Sequence, residues 1–188
     1  MASSPRVTVL LPVYDGEAYL REAIQSILGQ RFRDLELLVV DDGSRDRSRA
    51  IVESIRDPRV RLHAHERNLG LVPTLNEGLD LARGEYVARM DADDVAHPAR
   101  VERQVRWLDA HPDVAALGTA VRNFGEVRNS WTLKSDPAEV RARLLFECAL
   151  CHPTVMLRAA ALRRHGLRYD AAYPHAEDWA LWVAIAER

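Results

Sequence analysis

The sequence is poor in several things at once. Of its 188 residues only two are cysteine, Cys148 and Cys151, too few for a disulfide framework and half of what a closed structural zinc site takes. Lysine is represented by Lys134 alone, yet acid and base stay near balance, 28 Asp and Glu against 26 Lys and Arg. Clamping a nucleic-acid backbone calls for a clustered basic excess, so nucleic acid is not an expected partner. No apolar run approaches the roughly 20 residues of a membrane-spanning helix. Met1 to Arg6 is too short and polar for a secretory signal, and a cytoplasmic location is expected, free or peripheral at the inner face of the membrane. No repeat, low-complexity stretch or linker divides the chain, and 47% hydrophobic residues suffice for one ordinary core.

What is present is a strict alternation. Val7 to Val13 is a nearly continuous apolar run, the pattern of a parallel strand buried on both faces. Leu20, Ala23, Ile24, Ile27 and Leu28 then recur at helical spacing. The same pair of patterns returns as strand 35–40, helix 45–55, strand 60–63, helix 72–82 and strand 86–90. His97 and Pro98 open a further helix, with proline in the first turn where its missing N–H costs nothing. Val101, Val105 and Leu108 mark the buried face of that helix, and 114–118 is the next strand. This rhythm specifies βαβ units, hence an α/β fold: a three-layer α/β/α sandwich around a mainly parallel central sheet. Beyond Gly118 the pattern weakens. Residues 121–124 and 130–133 fit a small antiparallel extension, Asp136 with Glu139 fits a capped helix reaching about Glu147, and 154–157 fits a return to the sheet. Trp179 to Arg188 is helix-like and stops without Gly, Pro or cap, so further chain is expected after Arg188.

In open α/β sheets the ligand lies outside the carboxyl ends of the strands, and here those ends are acidic. The first predicted strand runs into Pro12-Val13-Tyr14-Asp15, the second into Asp41-Asp42-Gly43-Ser44 and the fourth into Asp91-Ala92-Asp93-Asp94. Five aspartates from two strand ends would face one crevice, where repulsion asks for a cation or a set of donors. A few oxygen ligands suit Mg²⁺ or Mn²⁺, which keeps its waters and shares the remaining positions with phosphates. The ordinary reading of Asp41 to Ser44 is a turn in which Ser44 or Asp46 caps the next helix, and both readings can hold together.

Five segments in order resemble the family-2 inverting glycosyltransferases, which have the nucleotide-diphospho-sugar transferase (GT-A) fold. They are Val9 to Tyr14, Glu36 to Ser44, Asn68 to Leu71, Ala88 to Asp94, and Ala176 to Trp179 with Leu181-Trp182. The resemblance implies transfer of a sugar from a nucleotide-diphospho-sugar, UDP being the expected nucleotide, to a hydroxyl of a saccharide, lipid-linked or protein acceptor. Cell-surface polysaccharide synthesis is the expected setting, with a homodimer as one possible assembly. The nucleotide side is implied for Pro12, Val13, Tyr14, Asp41, Asp42, Asn68, Gly70 and Asp91, and metal ligation of Mn²⁺ or Mg²⁺ for Asp93 with Asp91. Asp178 resembles the general base, Glu177 its helper, and His152, in His152-Pro153-Thr154, the acceptor side. The nucleotide-binding part then spans about 1–118 and the acceptor-side part about 119–188.

Competing readings are weaker. Cys148-Ala149-Leu150-Cys151-His152 has the spacing of covalent c-type haem attachment, which takes place outside the cytoplasm. A phosphoacceptor receiver domain needs an acidic pair after the first strand and a late strand-ending lysine. A sugar nucleotidyltransferase usually has a Gly-rich basic loop after the first strand, and none is found here. Arg100 is expected in an ion pair, with Arg67 and Arg89 open between ion pairs and diphosphate contact. Trp179 and Trp182 share a helical face that favours core packing over sugar stacking. His63, His65, His97, His111, His165 and His175 show no metal-ligand spacing.

Overall fold

The computed structural model describes residues 4–125, 128–131 and 136–188. In chain order the elements are β1 (Val7–Val13), α1 (Leu20–Leu28), β2 (Leu35–Asp41), α2 (Ser48–Glu53), β3 (Val60–Ala64), α3 (Leu71–Leu81), β4 (Tyr86–Arg89) and α4 (Arg100–Ala110). There follow β5 (Ala116–Leu117), β6 (Val121–Arg122), β7 (Ser130–Trp131), α5 (Pro137–Leu144), β8 (Met156–Arg158), α6 (Ala159–His165) and α7 (Glu177–Ala186).

β1 and β2 are buried at every position, because each has strands on both sides and helices on both faces. Alternate residues feed two cores. Val7, Val9 and Leu11 of β1 and Leu37 and Val39 of β2 pack with α1, α2 and α4. Leu10, Leu38 and Val40 face Leu75 of α3 and, further along the sheet, Leu162, Leu181 and Trp182. Each such buried side chain contributes about 1.5–3 kcal/mol relative to exposure. At Gly78 the helix lies directly on the sheet: a Cβ there would come 2.3 Å from Leu10 Cδ1.

The sheet order is β3-β2-β1-β4-β8-β5. β3, β2, β1 and β4 are parallel, with Val7 opposite both Leu35 and Tyr86. The three-layer sandwich with a mainly parallel sheet is thus the fold. The expected return to the sheet occurs as β8, shifted to Met156–Arg158 and running antiparallel between β4 and β5. β6 and β7 form a separate antiparallel pair, and Thr132 and Leu133 of the expected second strand lie outside the described residues.

The helix expectations need correction at several ends, and α2 is confined to Ser48–Glu53 within the expected 45–55. α4 starts at Arg100 and not at His97: Pro98 and Ala99 form a turn closed by Arg100 N–H donating to the His97 carbonyl at 2.8 Å. α6 was not anticipated, although its stop signals are in the sequence, with Arg163, Arg164 and His165 in the last turn and Gly166 at φ 62° just beyond. Asp136 does cap α5, accepting from the N–H groups of Ala138 at 2.7 Å and Glu139 at 3.2 Å. That helix ends at Leu144, short of the expected Glu147.

Candidate active site

The loops after β1, β2 and β3 are laced into one platform. Asp15, at φ 49°, accepts the Arg45 N–H at 2.7 Å, and its own N–H donates to Ser44 Oγ at 3.1 Å. Gly16 N–H reaches Ser48 Oγ at 2.9 Å and Glu17 N–H reaches Asp46 Oδ2 at 2.8 Å. Asp46 also accepts the Ser48 N–H at 2.8 Å, so it holds the start of α2, whereas Ser44 is given to the neighbouring loop. Gly43 adopts φ 71° and lies so close to the next loop that a Cβ would stand 2.4 Å from the Arg67 carbonyl carbon. Only glycine suits both demands.

Within this platform Asp41 is buried and accepts the Ser44 N–H at 3.0 Å. Asp42 is buried too and holds the turn into α3: Oδ1 accepts Leu69 N–H at 2.8 Å and Oδ2 accepts Gly70 N–H at 2.9 Å. Gly70 itself has φ 94°. Pro12 and Val13 are buried in β1, Tyr14 is exposed at its end, and Asn68 is exposed at the platform edge.

At the carboxyl end of β4 the acids are unevenly balanced. Asp91 pairs with the guanidinium of Arg89, a buried side chain whose Nε has no hydrogen-bond partner among the described residues. Asp93 is exposed and has no ion pair or hydrogen bond among the described residues. Burial, and then the charges of Asp91 and Asp93, push the Asp94 carboxyl above its usual range. Arg100 makes no ion pair among the described residues, contrary to expectation. Its guanidinium donates to the Arg89 carbonyl at 2.6 Å and to Gln104 at 3.1 Å, and burial lowers its pKa to about 10, so it remains a cation at neutral pH. These aspartates do not converge as a three-ligand cage. The free Asp93 carboxylate and the surplus negative charge nonetheless fit a hard divalent ion that takes one or two carboxylates and completes its shell with phosphate and water.

The far wall arrives through β8. Arg89 N–H donates to the Val155 carbonyl at 2.8 Å, which seats the His152–Thr154 turn beside the end of β4. Gln104 of α4 reinforces the seat, donating to the Thr154 carbonyl at 2.8 Å. His152 Nε2 lies 2.9 Å from Tyr169 Oη. Burial, with the Arg89 charge second, lowers the His152 pKa to about 2, which fixes the ring as neutral.

Asp178 lies in the first turn of α7, which docks by Trp179 Nε1–H donating to the Leu144 carbonyl at 2.8 Å and by burial of Trp182. Both tryptophans pack in the core, as their spacing suggested. Cys148 Sγ lies 3.5 Å from Asp178 Oδ2, and burial with that carboxylate pushes the thiol up to about 12. The Cys151 thiol is raised by burial and by the charges of Asp94, Asp91 and, more weakly, Asp178. The run of acids at the carboxyl end of β4 forms an acid rim, and the Asp178 charge of α7 reaches the same thiol only weakly. The two cysteines and His152 of the haem-like spacing are thus turned to Asp178, to the acid rim and to Tyr169.

The sequence profile of glycosyl transferase family 2 matches residues 8–166. The chain belongs to this family. A glycosyltransferase of Haemophilus influenzae, itself uncharacterized, is 32% identical over 202 residues, which covers 99% of the chain and 62% of that protein. Among solved structures, S. aureus TarS 1-349 in complex with UDP-GlcNAc superposes with a TM-score of 0.81 at 24% identity, over 96% of the chain and 53% of TarS 1-349. Mannosyltransferase PcManGT from Pyrobaculum calidifontis, in complex with GDP-Man and Mn2+, superposes with a TM-score of 0.74 at 25% identity, over 97% of the chain and 52% of PcManGT. The chain thus spans between half and two thirds of the length of these three proteins. No helix among the described residues is long and apolar enough to cross a membrane.

Sequence reading missed two parts of the region. The lacing of Asp15, Ser44, Asp46 and Ser48 left no periodic signal. The histidines have a partner after all: His63 and His65 of the β3 edge converge on Glu77 of α3, and His65 also meets Asp42 at 2.7 Å. Burial pulls the His65 pKa down, but Asp42 and Glu77 outweigh it and hold the value above normal.

Proposed function

We propose that the chain is the donor-binding and catalytic part of an inverting glycosyltransferase that moves a sugar from a UDP-sugar to an acceptor hydroxyl. The observation that carries this reading is the run of acids at the carboxyl end of β4, with Asp91 held by Arg89 and the Asp93 carboxylate exposed and unpaired among the described residues, next to the loop platform that holds Asp41, in a chain whose family-2 match spans residues 8–166. The nucleotide lies along Tyr14, Asp41, Asn68 and Gly70, on the part up to about residue 118, and the acceptor enters past His152 from the remainder. A Mn²⁺ or Mg²⁺ ion on Asp93 and Asp91 would neutralise the charge that grows on the departing diphosphate.

The transfer is a single displacement. The acceptor oxygen attacks the anomeric carbon from the face opposite the diphosphate, its proton passes to Asp178, and the carbon–oxygen bond to phosphate breaks with its electron pair leaving on the nucleoside diphosphate. One base and one leaving group on opposite faces give inversion. Arg89 holds Asp91 in place, and Glu177, buried beside Asp178, supports the base. The acceptor is a saccharide, lipid-linked or protein hydroxyl in cell-surface polysaccharide synthesis, at the cytoplasmic side of the membrane.

Calorimetry tests the donor half: UDP binds with Mn²⁺ and not with chelator, and Asp93→Ala removes that dependence with the fold intact. Transfer assays on the full-length protein test the other half, because Asp178→Asn should keep UDP and metal binding and lose transfer. Equal UDP affinity in chelator and Mn²⁺ refutes the donor site. Transfer by Asp178→Asn at the parent rate moves the base elsewhere, with Glu177 the next carboxylate to replace.

A further inference from the structure

Apart from the acid rim, one cluster has the donor chemistry of a different class of ion. β3 is an edge strand, and its pairing with β2 continues one residue past Ala64, where the His65 N–H donates to the Asp41 carbonyl at 2.8 Å; strand alternation therefore puts His63 and His65 on the same face, towards Glu77 of α3. The two carboxylate oxygens of Glu77 meet the two imidazoles separately, Oε1 at 2.8 Å from His63 Nε2 and Oε2 at 2.7 Å from His65 Nε2. The rings are edge to face with centroids 5.6 Å apart. One ligand atom from each of the three residues lies within 4.8 Å of the others. A tetrahedral ion with bonds of about 2.0–2.1 Å holds its ligand atoms about 3.3 Å apart, so rotation of the half-exposed His63 and Glu77 side chains closes the gap.

We propose that His63, His65 and Glu77 form a binding site for a zinc-class divalent transition ion, with water in the fourth position. Two imidazoles and one carboxylate are a nitrogen-rich set that selects Zn²⁺ or Co²⁺ over Mg²⁺ and Ca²⁺. The surroundings are built for it. His65 is nearly buried, and its other ring nitrogen, Nδ1, faces Asp42 Oδ1 at 2.7 Å. Asp42 is in turn clamped by the Leu69 and Gly70 N–H groups. A ligand histidine whose second nitrogen donates to a fixed carboxylate is the arrangement that sets the tautomer and directs Nε2 at a metal. With carboxylate oxygens against both its nitrogens, His65 must either carry two protons or give Nε2 to a metal in exchange for one of them. The half-exposed side chains of His63 and Glu77 leave the remaining position open to solvent.

The site is separate from the acid rim: β3 and β4 are three strand spacings apart in the sheet, about 14 Å. It acts on the same platform through Asp42, whose grip on Leu69 and Gly70 fixes the turn beside Asn68. Its role is to stiffen that turn, and nothing in it depends on the proposed transfer reaction.

The test uses untagged full-length protein stripped with chelator, then titrated with ZnCl₂ or CoCl₂ alone. The expected result is one equivalent bound, with visible absorption of tetrahedral cobalt, a rise in melting temperature, and no comparable response to Mg²⁺. His63→Ala and Glu77→Gln, both at half-exposed positions, should each weaken binding by about tenfold or more while circular dichroism stays native, and Asp42→Asn by about 10- to 100-fold. Asp93→Asn should leave this binding unchanged, which separates it from a failure of the donor-site reading. No binding by the parent, binding that survives both His63→Ala and Glu77→Gln, or binding lost in Asp93→Asn would each overturn the proposal.

Discussion

His152 offers a measurement of the acceptor-side wall that needs no substrate. Its half-buried ring packs against Trp182 and Tyr169, and burial with the Arg89 charge lowers its pKa to about 2. In the unfolded chain the same imidazole titrates near 6.5. A base with a depressed folded-state pKa binds more protons when unfolded, so stability is fully present above pH 6.5 and is lost as pH falls below it. At pH 5 the loss is 1.5 units at 1.36 kcal/mol per unit, about 2 kcal/mol. The result is insensitive to the folded value so long as that stays well under 5. The assay is urea unfolding of the parent and of His152→Gln at pH 7.5 and pH 5. The variant loses packing at both pH values, so the informative quantity is the difference of differences: the stability gap should shrink by about 2 kcal/mol on acidification. A gap that stays constant within about 0.5 kcal/mol would mean that His152 protonates in the folded state and that the wall is wet.

Two further outcomes follow from the same geometry. Cys148, with its thiol pushed up to about 12 by burial and Asp178, should alkylate at pH 8 at least about tenfold more slowly than an ordinary thiol, and Asp178→Asn should speed it up. Peptide mapping that shows ordinary reactivity, unchanged in Asp178→Asn, would place that carboxylate away from the sulfur. Gly43→Ala meets both a left-handed φ and the Arg67 backbone, so it should cost about 2 kcal/mol or more and weaken UDP binding; a loss under about 0.5 kcal/mol in urea unfolding would show that the two loops are not in contact.

The central sheet was legible because β1 and β2 each leave a mark, a nearly continuous apolar run with a helical repeat behind it. Val7–Val13 and Leu35–Asp41 differ from expectation by at most one residue. The direction of β8 was not legible: three residues carry no orientation, which is set by the Ala88–Met156 pairing across the sheet. α6, at seven residues, is too short for a convincing periodic pattern. The acid run after β4 could be read because sequence neighbours share one strand end. The His63–His65–Glu77 cluster depends on how α3 docks on the edge strand, and no local spacing encodes that.

The antiparallel insertion of β8 has a consequence for synthesis of the chain. Until residues beyond about 158 have left the ribosome, β4 has no neighbour on its outer side, and Tyr86–Arg89, buried in the finished sheet, is an open edge ready to pair with another nascent chain. The parallel half can form early, but the strand that closes it is also the one that brings the His152 turn to the acid rim. Completion of the rim and protection against edge-to-edge aggregation are therefore one event, and premature termination before β8 should yield an insoluble fragment instead of a soluble nucleotide-binding piece.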